Sequence, residues 1–359
     1  MAPSYKNIHA RFRYNGKIYS RKEFQNLAHS LAESNEAFEE STGKFLIDWL
    51  DDSEFIFVNT SGSTGTPKKI KIAKQAMVNS AIATGNFFNL KPGDCILNVL
   101  PSHYIAGKMM WIRAMILGLD MDVVTPTSHP PFDTKKHYDF SAMVPLQLAN
   151  VIEKTSNIKT IIIGGSSIPK TLLKTIESAS SSFYETYGMT ETVTHIALKR
   201  LKSKSQNSQD YFKALPNVKF YQDDKDCLKI EAPKISKDVL VTNDIVDLKS
   251  ETEFKWLGRY DNVINSGGIK VFPEQIEKKL QPLISSRFII ASKFDSIFGE
   301  KVILIVESEA LDTLEIKEKI SNSGLLSKFE IPKDIFFVKS FVETTSGKIQ
   351  RQKTINSIL

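Results

Sequence analysis

Cysteine is scarce in this sequence of 359 residues, which has only Cys95 and Cys227. Two thiols so far apart fit neither a zinc-binding pattern nor a disulfide framework. We expect both to be small apolar residues of the interior. The sequence also lacks any run of 18 apolar residues, so no membrane-spanning helix is predicted.

Blocks of like charge are also absent. The chain carries 47 basic and 41 acidic side chains, a net charge of +6. The basic residues are scattered and lack the interleaved aromatics of RNA-binding surfaces, so nucleic-acid binding is not expected. Residues 1–17 are polar and basic without an apolar core, which argues against a signal peptide. We therefore predict a cytoplasmic protein.

What is present is an ordinary globular composition, 41% hydrophobic and 25% charged. The length exceeds what one core usually supports, so two domains are expected. Apolar β-rich runs alternate with helical patterns, which predicts an α/β fold. The expected elements are a buried strand at Phe55–Asn59, a strand at Thr160–Ile163, helices at Lys74–Phe88 and Pro169–Ala179, and an exposed loop at Lys199–Gln209.

The pattern changes after Gly258, where short strands alternate with short helices over about a hundred residues, enough for a small α+β domain. We place the boundary near Arg259–Asp261, giving domains 1–260 and 261–359. The predicted elements are strands Phe288–Ala291, Val302–Glu307 and Ile335–Val338, and helices Pro273–Leu280 and Leu314–Ser321.

The strongest local motif is the segment Thr60–Lys69, TSGSTGTPKK. Glycines let backbone N–H groups converge on an anion, hydroxyls add donors, and Lys68 adds charge for phosphate oxygens. The spacing differs from that of a Walker A loop, because Gly62 and Gly65 are too close and no Ser or Thr follows the lysines. The alternative is a flexible Ser/Gly turn.

Three further segments are weaker when taken singly. Tyr187–Thr192 places the carboxylate of Glu191 beside two hydroxyls, a set that suits Mg²⁺, although a helix cap would explain it as well. Gly258–Glu277 combines an arginine, an aspartate and a Gly-Gly pair, which indicates a turn or a hinge. Thr344–Arg351 carries Lys348 directly after Ser-Gly, as a surface loop also could.

In this order the segments resemble those of the adenylate-forming superfamily, which includes acyl-CoA synthetases, adenylation domains and luciferases. Leu100–Gly107 is similar to its acyl-site turn, Gly164–Ser166 to its adenine-binding turn, and Val241–Asp244 to its ribose-binding motif. The resemblance spans residues 55 to 351. It implies a large N-terminal adenylate-forming domain and a small, mobile C-terminal lid domain.

The resemblance also implies a role for each matching residue. Lys348 would reach the α-phosphate as the catalytic lysine, Thr190 would bond the α-phosphate, and Glu191 would hold Mg²⁺. Tyr187 would cover one face of adenine, with Gly165 and Ser166 on the other. Asp244 and Arg259 would bind the ribose hydroxyls, and Asp261 would be the hinge. The triphosphate would lie on Thr60, Ser61, Gly62, Ser63, Thr64, Gly65 and Lys68.

The sequence departs from the family pattern at several points. Tyr104 stands where the family usually has histidine, with His103 one position earlier, and either could fill that role. Asn243 replaces a glycine of the ribose motif, and asparagine tolerates a left-handed backbone. Only about 54 residues precede the strand that leads into the phosphate loop. The large domain is therefore expected to be truncated at its N-terminus, with one strand and one helix kept in Tyr14–Glu33.

Within the superfamily the sequence is most similar to the o-succinylbenzoate–CoA ligases of menaquinone biosynthesis. The segment Leu100–Met121 carries this resemblance, and in it Tyr104 and Gly107 would line the acyl site. Its apolar helix contains a single arginine, Arg113. A buried unpaired charge is costly, so Arg113 is expected to face the second carboxylate of the diacid. Alternatively, Arg113 faces solvent or pairs with a structural aspartate.

The predicted function is therefore that of an ATP- and Mg²⁺-dependent acid–CoA ligase, which forms an acyl-adenylate and passes the acyl group to CoA. The acceptor could instead be a carrier protein, or another aryl or acyl acid could be the substrate. A nucleotide-binding pseudoenzyme is disfavoured because the charged residues of the motifs are present: Lys68, Glu191, Asp244, Arg259 and Lys348. The sequence does not predict the oligomeric state.

Overall fold

The computed structural model of the protein describes residues 3–59, 69–201, 210–309, 313–343 and 349–358. Helices and strands alternate along the first 200 residues, and strands alone follow up to residue 259. These elements are β1 (Arg13–Tyr14), α1 (Arg21–Ala32), α2 (Ala37–Leu50), β2 (Phe55–Asn59), β3 (Lys69–Ala73), α3 (Lys74–Phe88), β4 (Cys95–Asn98), α4 (Ile105–Leu117), β5 (Asp120–Val123), β6 (Tyr138–Met143), α5 (Pro145–Val151), β7 (Ile158–Ile163), α6 (Lys170–Ser178), β8 (Ser182–Gly188), β9 (His195–Arg200), β10 (Phe212–Ala214), β11 (Lys219–Gln222), β12 (Cys227–Glu231), β13 (Leu240–Ser250) and β14 (Glu253–Arg259).

Twelve of these strands form one sheet in the order β1-β5-β4-β6-β7-β8-β9-β10-β14-β13-β12-β11. The half from β1 to β8 is parallel, and every pairing beyond β8 is antiparallel. The central parallel strands are almost wholly apolar, as in the run Ile161–Ile163, because helices cover both faces of a parallel sheet. The carboxyl ends of β4, β6, β7 and β8 therefore lie along one edge.

Helix α4 is apolar on all sides, and most of its residues are buried. It ends at Gly118, whose φ of 72° is a left-handed conformation that glycine adopts without strain. It packs against α3, which ends at Asn89 in the same conformation. With 13 residues, α4 is too short to cross a bilayer, and no other helix in the described ranges is long and apolar enough to do so.

A second set of elements follows residue 260 and forms a mixed five-stranded sheet with three helices: β15 (Ile264–Ser266), β16 (Ile269–Val271), α7 (Pro273–Leu280), β17 (Phe288–Asp295), β18 (Gly299–Glu307), α8 (Thr313–Asn322), β19 (Asp334–Val338) and α9 (Arg351–Asn356). The largest apolar core runs from Phe12 to Phe254, and two smaller cores lie after Ile264. A boundary at 260/261 remains our proposal, and this division of the cores supports it.

The α/β class and most of the predicted elements are confirmed. The sequence was wrong about Phe55–Asn59, which is an antiparallel hairpin strand with alternating burial and is not buried on both faces. The prediction of a loop at Lys199–Gln209 was also wrong at Lys199 and Arg200, which lie in β9 because this strand pairs with β8 as far as Arg200. Residues 202–209 of that predicted loop lie outside the described residues. Cys227 is buried, whereas Cys95 is only half-buried.

Candidate active site

The predicted nucleotide and acyl motifs follow the parallel strands at one edge of the sheet. The acyl-site turn follows β4, Gly164–Ser166 follows β7, and Tyr187 lies near the end of β8. Ligands of α/β proteins bind at the carboxyl ends of such strands. The hairpin β2–β3 flanks the predicted phosphate loop, and β3 lies against the 3-10 turn Thr190–Thr192. The described parts of the motifs thus converge on this edge.

The turn after β7 depends on two adjacent glycines. A Cβ on Gly164 would collide with the Thr186 hydroxyl, which donates to the Ile163 carbonyl at 3.1 Å. Gly165 has a φ of +92°, a conformation that strains other residues. Gly165 and Ser166 are both exposed, so a flat ring can approach the backbone here. This is the surface that the resemblance assigns to one face of adenine.

Tyr187 and Asp244 form the best-defined polar contact of the site. The Tyr187 hydroxyl donates to Asp244 Oδ2 at 2.6 Å, and Trp256 Nε1 donates to Asp244 Oδ1 at 3.2 Å. Burial, followed by the Asp244 charge, raises the pKa of Tyr187 well above its ordinary value, so this hydroxyl stays a donor at neutral pH. The Tyr187 ring packs edge-on against Phe254, with ring centroids 4.9 Å apart.

The Asp244 carboxylate keeps acceptor capacity despite these two bonds. A carboxylate offers about four lone-pair sites, two on each oxygen. Each oxygen has accepted one side-chain hydrogen bond within the described residues, so one site per oxygen remains. Two neighbouring hydroxyls, as on a ribose, need just such a pair of acceptors.

Arg259 and Asp261 lie beside this carboxylate. Arg259 Nη1 is 3.7 Å from Asp244 Oδ1, an ion-pair distance longer than a hydrogen bond. Arg259 Nη2 donates to Asp261 Oδ2 at 3.4 Å, and Asn243 Nδ2 donates to the same oxygen at 3.1 Å. The predicted hinge residue is therefore in contact with Arg259, one of the two predicted ribose-binding residues.

The 3-10 turn holds Thr190 half-buried and Glu191 exposed. Buried Thr192 fixes the turn by accepting a hydrogen bond from Met189 N at 2.9 Å and donating to the Thr194 carbonyl at 2.7 Å. Val193 has a φ of 68°, which is strained for a β-branched residue and typical of functional segments. Mg²⁺ usually takes one or two protein carboxylates and keeps waters, so a lone exposed Glu191 fits it.

The acyl-site turn is folded tightly onto the start of α4. A Cβ at Gly107 would collide with the carbonyls of Leu100 and Pro101, so glycine is required for this close approach. Buried Ser102 accepts a hydrogen bond from Thr42 Oγ1 at 2.8 Å. Lys108 Nζ donates to the Ser102 carbonyl at 2.5 Å and lies 4.8 Å from the centre of the Phe45 ring. Helix α2 thereby anchors the turn.

His103 and Tyr104 both lie on the exposed side of this turn, with ring centroids 4.0 Å apart. Partial burial, together with the nearby Lys108 cation, lowers the pKa of His103. Tyr104 is 47% exposed. Because the two aromatics lie side by side in the same turn, both remain available for the role of the family histidine.

Arg113 lies deep in the protein on α4, with 1% of its surface exposed. Its Nη1 contacts Met110 Sδ at 3.6 Å, and its Nε and Nη2 have no hydrogen-bond partner within the described residues. Burial lowers the pKa of Arg113 to about 9, so the group is still cationic at pH 7. The exposed alternative is excluded, and the described residues provide no aspartate partner.

Comparison with known proteins shows which family the chain resembles. The model of the AMP-binding enzyme family matches residues 17–232. The chain belongs to this family. It is 24% identical over 333 residues to the 2-succinylbenzoate–CoA ligase of Lactococcus lactis, an alignment that covers 85% of this chain and 72% of that ligase.

Solved structures agree. An acyl-CoA synthetase (AMP-forming)/AMP-acid ligase II-like protein from Dyadobacter fermentans is 31% identical, with a TM-score of 0.60, over 93% of this chain and 98% of that one. The o-succinylbenzoate coenzyme A synthetase of Bacillus subtilis in complex with AMP has a TM-score of 0.69 at 21% identity, over 83% and 68% of the two chains. The α/β architecture is thus that of adenylate-forming enzymes.

Several predicted residues of this AMP-binding enzyme lie outside the described residues. They are Lys348 and the phosphate-loop residues Thr60, Ser61, Gly62, Ser63, Thr64, Gly65 and Lys68. Their assigned roles remain predictions. The strands on either side of the loop are described, and their register pairs Asn59 with Lys69.

Sequence reasoning missed four residues near the site: Thr84, Lys108, His195 and Trp256. The bond from Trp256 to Asp244 follows from the antiparallel pairing of β13 with β14, which no local pattern reveals. Thr84 and His195 come together from α3 and β9, 111 positions apart. The one sequence signal for this contact is that Thr84 is a polar residue in an apolar stretch of its helix.

Proposed function

We propose that this AMP-binding enzyme is an AMP-forming acid–CoA ligase. In the first step a substrate carboxylate oxygen attacks the α-phosphorus of ATP, and pyrophosphate leaves. In the second step the CoA thiolate attacks the acyl carbon, and AMP leaves. The membership of the family and the free acceptor sites on Asp244, beside Tyr187, support this proposal.

In the first step, different residues would stabilise the phosphate charge and orient the nucleoside. Negative charge builds on the phosphoryl oxygens, so preorganised donors and cations at this point lower the barrier. Lys68, the hydroxyls of Thr60–Thr64 and Lys348 are proposed as those groups on the strength of the resemblance. Glu191 would hold Mg²⁺, which neutralises phosphate charge when bound. Tyr187, Asp244 and Arg259 would orient the nucleoside.

We further propose that the substrate is o-succinylbenzoate, a diacid, and that the enzyme serves menaquinone biosynthesis in the cytoplasm. One observation supports this choice above the others: Arg113 is buried, cationic and without a hydrogen-bond partner on two nitrogens within the described residues. Nε and Nη2 lie on one edge of the guanidinium, the geometry that binds a carboxylate through two parallel hydrogen bonds. A second carboxylate on the substrate would supply the missing partner.

The energy of this contact makes it testable. Removal of one partner of a buried hydrogen-bonded charge pair costs about 2–5 kcal/mol. At 1.4 kcal/mol for each factor of ten, that is a loss of about thirtyfold or more in kcat/KM for the diacid. A monoacid that lacks the second carboxylate gains nothing from Arg113 and is not expected to suffer.

The experiment compares o-succinylbenzoate with 4-oxo-4-phenylbutanoate, the same keto acid without the ring carboxylate. AMP release in the presence of ATP, Mg²⁺ and CoA is measured for the wild type and for Arg113→Met. We expect the variant to lose activity on the diacid alone. A matched control is Lys108→Met, which removes the other cation of α4. This variant should change the activity on both acids by the same factor, because Lys108 contacts the acyl-site turn.

Three results would each contradict a part of the proposal. An equal loss on both acids in Arg113→Met would make Arg113 structural. A wild type that prefers the monoacid would make the enzyme another aryl-acid or acyl-acid ligase, with the adenylation chemistry intact. If AMP is released only when a carrier protein replaces CoA, the assignment of CoA as the acceptor is wrong.

A further inference from the structure

An ion pair joins the last residues of two motif segments, Gly258–Glu277 and Thr344–Arg351. The Nη1 and Nη2 nitrogens of Arg351 donate to Oε1 and Oε2 of Glu277, each at 2.7 Å. The Arg351 and Glu277 side chains are 23% and 19% exposed, so most of the pair is sheltered from solvent. A bidentate pair of this kind fixes a geometry as well as adding energy.

The same two side chains also bind the backbone of β17. Among the described strands, β17 pairs with β18 alone. On β17, the Ile290 N–H donates to Glu277 Oε1 at 2.7 Å, and the Ile290 carbonyl accepts from Arg351 Nη1 at 3.0 Å. Three hydrogen bonds, to α7 and β17, therefore hold the Arg351 side chain at the start of α9.

The chain between Lys348 and Arg351 is fixed as well. Ile349 forms an antiparallel bridge with Glu343 and packs against the small apolar core that contains Phe341. Lys348 lies outside the described residues, and in the sequence it is the residue directly before Ile349. The chain that follows Lys348 is thus anchored on the five-stranded sheet, at Ile349 by packing and at Arg351 by the ion pair.

We propose that Arg351 and Glu277 are positioning residues for the adenylation step, which hold the end of the segment that carries Lys348 at one place on the five-stranded sheet. The inference rests on the proposed function, since it requires Lys348 to act on the α-phosphate. The pair acts through Lys348 and not by contact with the substrates.

Positioning matters for a lysine because its ammonium group stands on a flexible four-carbon stem. A backbone that is also free to move adds to the entropy lost when the ammonium meets the α-phosphate. A displacement of about 1 Å in the reacting geometry can cost a factor of about 100 in rate. Loss of the ion pair should therefore slow adenylation, while the KM for ATP stays the same because other residues bind the nucleotide.

A purely structural pair, which only closes the open side of β17, makes a different prediction. Its loss would destabilise the C-terminal elements and would slow both half-reactions. Loss of a positioning pair slows adenylation alone, because the role proposed for Lys348 is confined to that step. The ratio of the two half-reaction rates therefore distinguishes the two roles.

The test measures both half-reactions in purified Arg351→Met. Adenylation is followed as acid-dependent exchange of pyrophosphate into ATP, and the second step as thioester formation from preformed acyl-adenylate and CoA. We expect the kcat of exchange to fall about 10- to 100-fold, with thioester formation retained. The matched control is Lys279→Met, which breaks the ion pair of Lys279 with Glu330, 2.7 Å long and also on α7. This control should keep the wild-type rates of both half-reactions.

Equal losses in the two half-reactions of Arg351→Met, or an unchanged rate of exchange, would overturn the inference. Should Arg351→Met not fold, Glu277→Gln provides the readout. Its carboxamide keeps the shape and an acceptor for the Ile290 N–H, but loses the charge and one acceptor oxygen. Slower exchange with thioester formation retained would support the inference, and any other result in this variant would contradict it.

Failure of the inference and failure of the proposed function give different results. If the wild type forms no acyl-adenylate from any acid, the proposed function fails and the inference fails with it. If Lys348→Ala slows exchange alone and Arg351→Met does not, the inference alone fails. The same holds if Lys348→Ala leaves exchange unchanged, because the pair then has no catalytic lysine to position.

Discussion

Replacement of Asp244 by asparagine tests the proposed ribose contact most sharply. The carboxylate accepts from Tyr187 at 2.6 Å and from Trp256 at 3.2 Å, and the described residues leave one acceptor site on each oxygen. Asparagine has one acceptor oxygen and one NH₂ group that only donates. With its oxygen kept toward Trp256, the amide places NH₂ toward Tyr187, whose hydroxyl can turn to accept. The variant then keeps its protein contacts but loses one of the two acceptors for ribose.

The magnitude follows from the type of bond that is lost. A hydrogen bond to a charged group contributes about 1.5–3 kcal/mol, which corresponds to a rise of about 10- to 150-fold in the KM for ATP. The ribose is remote from the reacting atoms, so the contact is made equally before and in the transition state. We therefore expect kcat to change little, because uniform binding affects KM alone.

The assay is acid-dependent exchange of pyrophosphate into ATP, with ATP varied at saturating diacid. Asp247 offers a matched control on the same strand, since its carboxylate accepts from the Tyr211 hydroxyl at 3.2 Å on the surface. Asp247→Asn should leave the KM for ATP as it is. An unchanged KM for ATP in Asp244→Asn, with both variants equally stable to heat, would refute the assignment of Asp244 to ribose.

Two further predictions concern the lysines. Lys348→Ala should abolish acyl-adenylate formation while preformed adenylate is still converted to thioester, as measured by single turnover; equal loss in both half-reactions would contradict a role in adenylation alone. Burial lowers the pKa of Lys108 from its ordinary 10.5 to about 8. Between these two pH values, Lys108 is therefore protonated in the unfolded chain and neutral in the folded protein. The free energy of unfolding should therefore rise by roughly 3 kcal/mol more in the wild type than in Lys108→Met from pH 8 to 10.5, as measured by urea titration, and a parallel pH dependence of the two would refute this.

The local parts of the fold could be predicted because their signals are local. Pro273 at the first position of α7 and the apolar spacing of Lys74–Phe88 mark helices that the structure confirms at both ends. The apolar run Ile161–Ile163 marks a central strand for the same reason. The prediction that the whole strand Phe55–Asn59 is buried was wrong, because burial depends on what covers each face of a strand. This strand pairs with β3 in a hairpin, and the side chains on one face of the hairpin are exposed.

The candidate site could be predicted only where its residues stand in compact motifs. Gly164, Tyr187, Asp244 and Arg113 were found because each belongs to a short segment that resembles a known family. The partners that set their chemistry come from distant parts of the chain: Trp256 reaches Asp244 through strand pairing, and His195 reaches Thr84 across 111 positions. No periodicity or spacing encodes such contacts. Only packing reveals them.

The central claim is that one site first adenylates the acid and then transfers its acyl group to CoA, and separation of the half-reactions tests it most directly. The purified enzyme is incubated with ATP, Mg²⁺ and o-succinylbenzoate, first without CoA and then with CoA, and the products are identified by mass. We predict enzyme-bound acyl-adenylate and pyrophosphate in the first incubation, and acyl-CoA with an equal amount of AMP in the second. Release of ADP and phosphate, or AMP formation that does not depend on the acid, would contradict the account.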